Sequence, residues 1–297
     1  SKLVDELASP TDFDMAVRYR AVQLSDATSR MGGSPAVLPE LSIRVTDSQI
    51  QYRYVSASFK SQHVDIKISA AESSDWLLTT ALELDDLLCR LRFNYPHLGT
   101  LLIRTSGPAE SVLKHDQALN NPTTHAELET ALLWKRTLSR MDLTARTLIA
   151  AIEPGSCFVG ILFELALAAD RSYMLSGIFE DDEEPLPAAT IQLGDVNLGI
   201  FPMANGISRL ASRFWGDSNS LANAVETRDT SLVASTAIER GLVTYTPDDL
   251  DWEEELRIAI EERSSFSPDA LTAMETNHRF AGPETMATKI FARLSAW

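Results

Sequence analysis

Apolar residues recur at near-helical spacing from Asp12 to Ser25 (Phe13, Met15, Ala16, Tyr19, Ala21, Val22), which predicts a short amphipathic helix. The next stretch, Asp26 to Glu40, is rich in Ser, Gly and Pro and reads as a linker. From Leu41 to Ala70 the pattern changes to alternation. Ile43, Val45, Ile50, Tyr52 and Tyr54, then Val64, Ile66 and Ile68, predict two or three strands. Helical periodicity returns over Trp76–Asn94 (Leu77, Leu78, Ala81, Leu84, Leu87, Leu88, Leu91) and again over Ala126–Arg140. Leu101-Leu102-Ile103, ending at Ser106-Gly107-Pro108, and Thr147–Ile152 are short continuous apolar runs of the kind a buried strand makes. Strands alternating with helices in this order predict an α/β domain with crossover connections.

The second buried strand feeds a Pro-Gly-Ser turn at 154–156 and then an apolar run from Phe158 to Ala169 that is interrupted only by Glu164. A helix that is apolar all round is buried, and a lone carboxylate in it must be paired, protonated or used in chemistry. The run is too short for a membrane span, which needs about 20 apolar residues. Toward the C-terminus, Ser267-Pro268-Asp269 to Trp297 is helical, with Pro268 at a helix start, where its missing N–H is harmless. Phe280, Phe291 and Trp297 look exposed in that pattern, fit either to cover a site or to pack on a neighbour.

Composition narrows the function classes. At 297 residues with 44% hydrophobic content, the chain can bury a sizeable core. Its 26 Lys and Arg against 42 Asp and Glu give a net charge of −16, which argues against a nucleic-acid or anionic-membrane surface. It leaves room for an anionic substrate held by a local basic patch. Two cysteines, Cys89 and Cys157, make no disulfide framework, and no signal peptide is visible, so a reducing cytoplasm is the expectation. Cys157 precedes a helix start, where a thiol pKa can be lowered, although a small core residue is the commoner use. His63, His97, His115, His125 and His278 show no ligand spacing, and no metal or cofactor site is expected. No P-loop, dinucleotide fingerprint or nucleophile elbow is present. The acidic run Glu180–Glu184 reads as a solvated loop.

A weak internal repeat links Lys2-Leu3-Val4-Asp5 and the helix from Phe13 to Gly241-Leu242-Val243-Thr244 and a helix from Trp252. The chain opens on Ser1 and stops at Trp297 inside a helical pattern. Together these features suggest a piece of a longer tandem polypeptide. Residues 1–40 would be the end of a preceding unit plus linker, 41–250 a domain, and 251–297 a C-terminal helical segment.

Residues 147–243 resemble the crotonase (enoyl-CoA hydratase/isomerase) superfamily. The resemblance rests on Ala150-Ala151-Ile152-Glu153-Pro154-Gly155 leading to Gly160, Glu164 and Asp170-Arg171. It continues in Gly194-Asp195-Val196-Asn197-Leu198-Gly199-Ile200-Phe201-Pro202, Arg209-Leu210 and Ala237–Val243. Glu153–Phe158, Glu164–Met174, Asp251–Ala259 and Gly282–Met286 are similar to the C-terminal half of benzoyl-CoA-dihydrodiol lyases, double-length crotonase members. The resemblance implies a crotonase-like α/β spiral of ββα units with a C-terminal helical extension. It implies an acyl-CoA thioester as substrate, an N-terminal crotonase unit as partner, a homodimer, and oxygen-independent opening of a dihydrodiol ring with loss of one carbon as formate.

Crotonase chemistry needs two backbone N–H donors on the thioester oxygen and one or two carboxylates as acid and base. Glu164 and Asp195 match the family's two carboxylate positions and are the candidate catalytic residues. The plainer alternative is that Glu164 pairs with an arginine such as Arg171 or Arg209 while Asp195 caps a turn. Two departures from the family pattern weigh on activity. Gly107–Leu113 lacks the second glycine of the loop that supplies the first donor, and Gly160-Ile161-Leu162 puts a branched side chain at the second. Three readings follow: a degenerate scaffold half of a lyase, a self-sufficient enoyl-CoA hydratase or isomerase using Glu164 and Asp195, and a ligand-free assembly module.

Overall fold

The computed structural model describes residues 7–26, 37–144, 146–283 and 285–287. The chain divides into two compact units, Ser1–Pro35 and Ala36–Trp297. The described part of the first is a single helix, α1 (Phe13–Asp26), with Phe13, Met15, Tyr19 and Val22 exposed on it. Lys2–Asp5, Phe291 and Trp297 lie outside the described residues.

The second unit is built on one seven-stranded sheet whose strands lie side by side in chain order. Strands β1 (Arg44–Val45), β2 (Gln49–Gln51), β3 (Val55–Phe59) and β4 (Val64–Ser69) form an antiparallel meander. The 41–70 region thus holds four strands, the extra one being the two-residue β1, too short for alternation to reveal. Helix α2 (Trp76–Asn94) crosses over to β5 (Thr100–Ser106), which pairs parallel to β4 with Val64 opposite Leu101. Helices α3 (Ala109–Asn120) and α4 (His125–Asp142) lead to β6 (Thr147–Ile152), and α5 (Gly160–Ala168) leads to β7 (Arg171–Met174), both strands again parallel to their neighbours. After β7 come short helices α6 (Arg209–Arg213), α7 (Ser218–Val225) and α8 (Ala234–Glu239), then α9 (Trp252–Ser264) and α10 (Pro268–Arg279).

The apolar runs of β5 and β6 are continuous because both sheet faces are covered. Leu101, Ile103, Leu148, Ala150 and Ile152 point into the main core with α2, α4 and α5. Leu102, Ile149 and Ala151 point the other way, onto Trp252, Leu256, Ala259 and Ile260 of α9. The C-terminal helices are therefore part of the same unit as the sheet. Helix α4 starts at a capping box made by Thr124 and Glu127, and Trp134 ties it to α2 by donating to the Leu77 carbonyl at 2.9 Å. Buried Glu83 leaves its helix to accept the N–H groups of Tyr54 (2.8 Å) and Val55 (3.0 Å), so an acid on an apolar face completes the β2–β3 turn. Past α8, Gly241–Val243 forms no strand; an isolated bridge joins Tyr173 to Tyr245. The acidic run 180–184 is exposed.

Candidate functional site

Helix α5 leaves β6 through the turn in which the Ser156 N–H donates to the Glu153 carbonyl at 2.9 Å. Every residue of α5 is buried, as its composition requires. Glu164, about one turn in, meets Arg209 of α6: Nη1 donates to Oε2 at 2.7 Å. The other carboxylate oxygen accepts from Asn197 Nδ2 at 2.8 Å. Asn197 also donates to the Gly160 carbonyl (3.0 Å) and accepts from the Gly194 N–H (2.9 Å), so its amide is oriented on both sides. Arg209 continues to Asp142, at the end of α4, through Nε–Oδ1 at 2.9 Å and Nη2–Oδ2 at 2.6 Å, and gives Nη1 to the Phe201 carbonyl at 2.8 Å. This forked, bidentate geometry is the arrangement in which a guanidinium binds a carboxylate most strongly.

One cation thus serves two buried acids. Burial pushes the Glu164 and Asp142 carboxyls up, against the pull of Arg209. Burial alone would lower the Arg209 pKa, but the two carboxylates outweigh it and hold the guanidinium charged. The directions differ because the positive charge is shared, whereas each acid bears its own desolvation.

The amide of Ile161, the expected second oxyanion donor, is occupied. Asp116 of α3 reaches it with both carboxylate oxygens, each 3.2 Å from the nitrogen. The same carboxyl lies against Gly160, whose φ of +49° and neighbouring side chain leave no room for a Cβ: an added one would sit 1.6 Å from Asp116 Oδ2. Burial holds the Asp116 carboxyl well above the usual range, the Ile161 N–H opposes this, and the charge of Glu164 adds to it. On the other side, the stretch expected to supply the first donor is a loop only to Pro108, and α3 begins at Ala109. Gly107, at φ +113°, lies so close to β4 that an added Cβ would sit 2.7 Å from the Ala70 carbonyl oxygen.

Asp195 lies elsewhere. It opens a 3-10 turn (Asp195–Leu198), is 61% exposed, and pairs with Arg228 at 3.0 Å. It does not share a pocket with Glu164, although Asn197 two residues on does reach it. Cys157 is fully buried, its N–H donates to Thr105 Oγ1 at 2.9 Å, and burial pushes its thiol up to about 11, so it stays protonated at neutral pH. Among the described residues no cluster of three metal-ligating side chains occurs, and no helix is long and apolar enough to cross a membrane.

Asp116, Asp142 and Asn197 were not singled out in the sequence. The signal for Asp116 is its place on an apolar stripe, four residues after Val112 and three before Leu119. Asp142 follows Leu138 at the same spacing.

No protein-family model matches the chain. Along its whole length the chain is 40% identical, over 315 aligned residues, to a benzoyl-CoA-dihydrodiol lyase of Aromatoleum evansii. It spans 55% of that protein's length, about half. Among solved structures it is similar to an enoyl-CoA hydratase from Geobacillus kaustophilus HTA426 (TM-score 0.59, 18% identity, 83% of this chain and 88% of that one). It is also similar to an enoyl-CoA hydratase from Bacillus anthracis (TM-score 0.58, 17% identity, 82% and 89% covered). At these identities the two structures speak for the fold.

Proposed function

The chain is a homologue of benzoyl-CoA-dihydrodiol lyase with the crotonase fold, and from that premise we propose that it is a degenerate crotonase unit, the supporting half of a longer lyase. The observation that carries this reading is the Asp116 carboxyl on the Ile161 N–H. A thioester oxygen gathers negative charge as its enolate forms, and it needs free N–H donors in a field that favours that charge. Here the donor is taken, the space before it is filled by a carboxyl, and a second acid lies close behind. Glu164 is likewise committed, one oxygen to Arg209 and one to Asn197, and its side chain is buried. Such a carboxylate fastens α5 to α6 and to the 3-10 turn; it is poorly placed to shuttle protons.

In this reading the ring of 2,3-dihydro-2,3-dihydroxybenzoyl-CoA is opened without oxygen, to a dehydroadipyl-CoA and formate, by an N-terminal crotonase unit that this half supports. The assembly is a cytoplasmic homodimer. No resident cofactor is needed, since the CoA thioester is substrate. Calorimetric titration of this chain with benzoyl-CoA tests the proposal. No binding heat is expected from the wild type or from Glu164→Gln, with circular dichroism showing both folded. Micromolar binding that Glu164→Gln weakens would reverse the conclusion and make this half an acyl-CoA enzyme in its own right.

A further inference from the structure

At the far end of α5 a cavity of about 480 Å³ opens between Leu167–Asp170, α6 and the facing sides of α9 and α10. Gly160 and Ala168 are eight residues apart on that helix, so the cavity lies about 12 Å along the axis from Asp116 and is separate from the closed thioester position. Four arginines line it, and they divide into two kinds.

Arg209 and Arg279 are satisfied. Arg209 holds Asp142 and Glu164 as described. Arg279 pairs with Asp170 at 2.6 Å and donates to the carbonyls of Asp142 (3.0 Å), Thr144 (2.6 Å) and Arg146 (2.8 Å). Arg213 and Arg263 are so only in part. Arg213 donates Nε to the Gly241 carbonyl at 2.5 Å, and among the described residues neither Nη has a partner and no carboxylate pairs with it. Burial alone acts on its pKa, pulling it down, with no acid opposing. Arg263 has a buried Nε without a hydrogen bond. Its Nη1 donates to Met274 Sδ at 3.8 Å and pairs loosely, at 3.6 Å, with Glu275 Oε1, an oxygen already accepting from Thr147 Oγ1 at 2.6 Å.

Arg213 is half-buried and has no counter-charge, Arg263 on α9 is half-buried and only loosely paired, and a guanidinium drawn partly out of water without an acid beside it favours an anion. We propose that this cavity binds a small monocarboxylate with an apolar body, its carboxylate held by Arg213 and Arg263. The planar fork of Arg213 has four N–H donors left to match a carboxylate. Asp170 and Glu275 also line the cavity, so a phosphate dianion would meet two acids, whereas a single negative charge is tolerated. Leu167, Met203 and Met274 give the remainder of the wall an apolar surface, and the volume exceeds what the carboxylate alone would fill.

The test is calorimetric titration of the 297-residue chain with hexanoate, set against hexanamide, which keeps the body without the charge, and against inorganic phosphate. Hexanoate is expected to bind more tightly than either. Its affinity should fall at least tenfold in Arg213→Gln, recover in part in Arg213→Lys, and be unchanged in Asp116→Asn, which places the heat at the arginine cavity. If Arg213→Gln does not fold by circular dichroism, Arg263→Gln carries the same expectation. Absence of hexanoate heat, heat indifferent to both glutamine variants, or tighter binding of phosphate would each overturn the assignment. A benzoyl-CoA result in either direction leaves this outcome untouched, because the two sites share only Arg209, which is committed to Asp142 and Glu164 and is not asked to hold the carboxylate.

Discussion

Asp195 and Asn197 leave one 3-10 turn in opposite directions. Asn197 turns inward and closes on Glu164, and its side chain is fully buried; Asp195 turns outward to Arg228 and stays 61% exposed. Two acids that occupy the carboxylate positions of one motif therefore live in different media. Glu164 sits where charge is expensive and each of its oxygens is hydrogen-bonded, so its environment fixes α5, α6 and α4 relative to one another. Asp195 sits where water solvates it and its pairing changes little. A motif places a carboxylate on the chain, but burial and hydrogen-bond partners decide what that carboxylate does.

The largest effect should come from the cation at the centre of the buried network. Arg209→Met leaves Asp142 and Glu164 without the guanidinium that pairs with both, and loss of one partner of a buried ion pair costs about 3–5 kcal/mol. Urea denaturation should show that loss. The sharper form of the test adds Glu164→Gln and Asp142→Asn to Arg209→Met. If charge burial is the cause, the triple variant recovers most of the stability; if it stays as unstable as Arg209→Met, the network acts through packing and the contrast with Asp195 loses its electrostatic basis.

Asp116 should give the next largest change, and a pH-dependent one. Its carboxyl is held well above its ordinary value by burial, with the Ile161 N–H opposing. The folded protein therefore keeps a proton that the unfolded chain releases near pH 4, and stability from this group falls as pH rises from there through the raised folded value. Asp116→Asn keeps an acceptor for the Ile161 N–H and removes the ionisation. It should be more stable than the wild type at pH 8, because the wild type must either keep its raised-pKa proton or bury a charge there. Near pH 4 the two should be equal. Thermal melts of both proteins between those limits check this; an advantage that persists unchanged at pH 4 would mean that the carboxyl is not the titrating group.

Much of the fold was legible because periodicity and burial agree. The helix expected at Trp76–Asn94 and the strand at Thr147–Ile152 occur with those bounds, since each has a long stripe or run that one kind of packing satisfies. The elements not foreseen are those whose pattern is short or mixed. Helix α3 carries Glu110, Lys114, His115 and Asp116 among few apolar residues, and its start was masked by the Gly-Pro turn before it. The candidate site was legible one residue at a time. Glu164 announced itself as a lone acid in an apolar helix, and Arg209 was one of two named partners. Asp116 stayed hidden because its meaning depends on α3 lying against Gly160, a contact across 44 residues of chain that no local spacing encodes.

The smallest effect is the one that tests the outer half of the comparison. Asp195 pairs with an arginine that is itself 48% exposed and that has Asp229 at 3.3 Å as a second partner. Exposed pairs of this kind contribute about 0–1 kcal/mol, and here Arg228 keeps a carboxylate when Asp195 is removed. Asp195→Ala should therefore lower the stability read from urea denaturation by less than about 0.5 kcal/mol, and salt should alter it little further, since there is little pairing energy left to screen. A loss several times larger would mean that Asp195 holds the turn from which Asn197 reaches Glu164. The exposed acid would then act through the buried one, and the two regions would form one unit. Measuring Asp195→Ala and Asn197→Ala singly and together separates these cases. Independent regions give additive losses, whereas a shared turn gives a double variant no worse than Asn197→Ala alone.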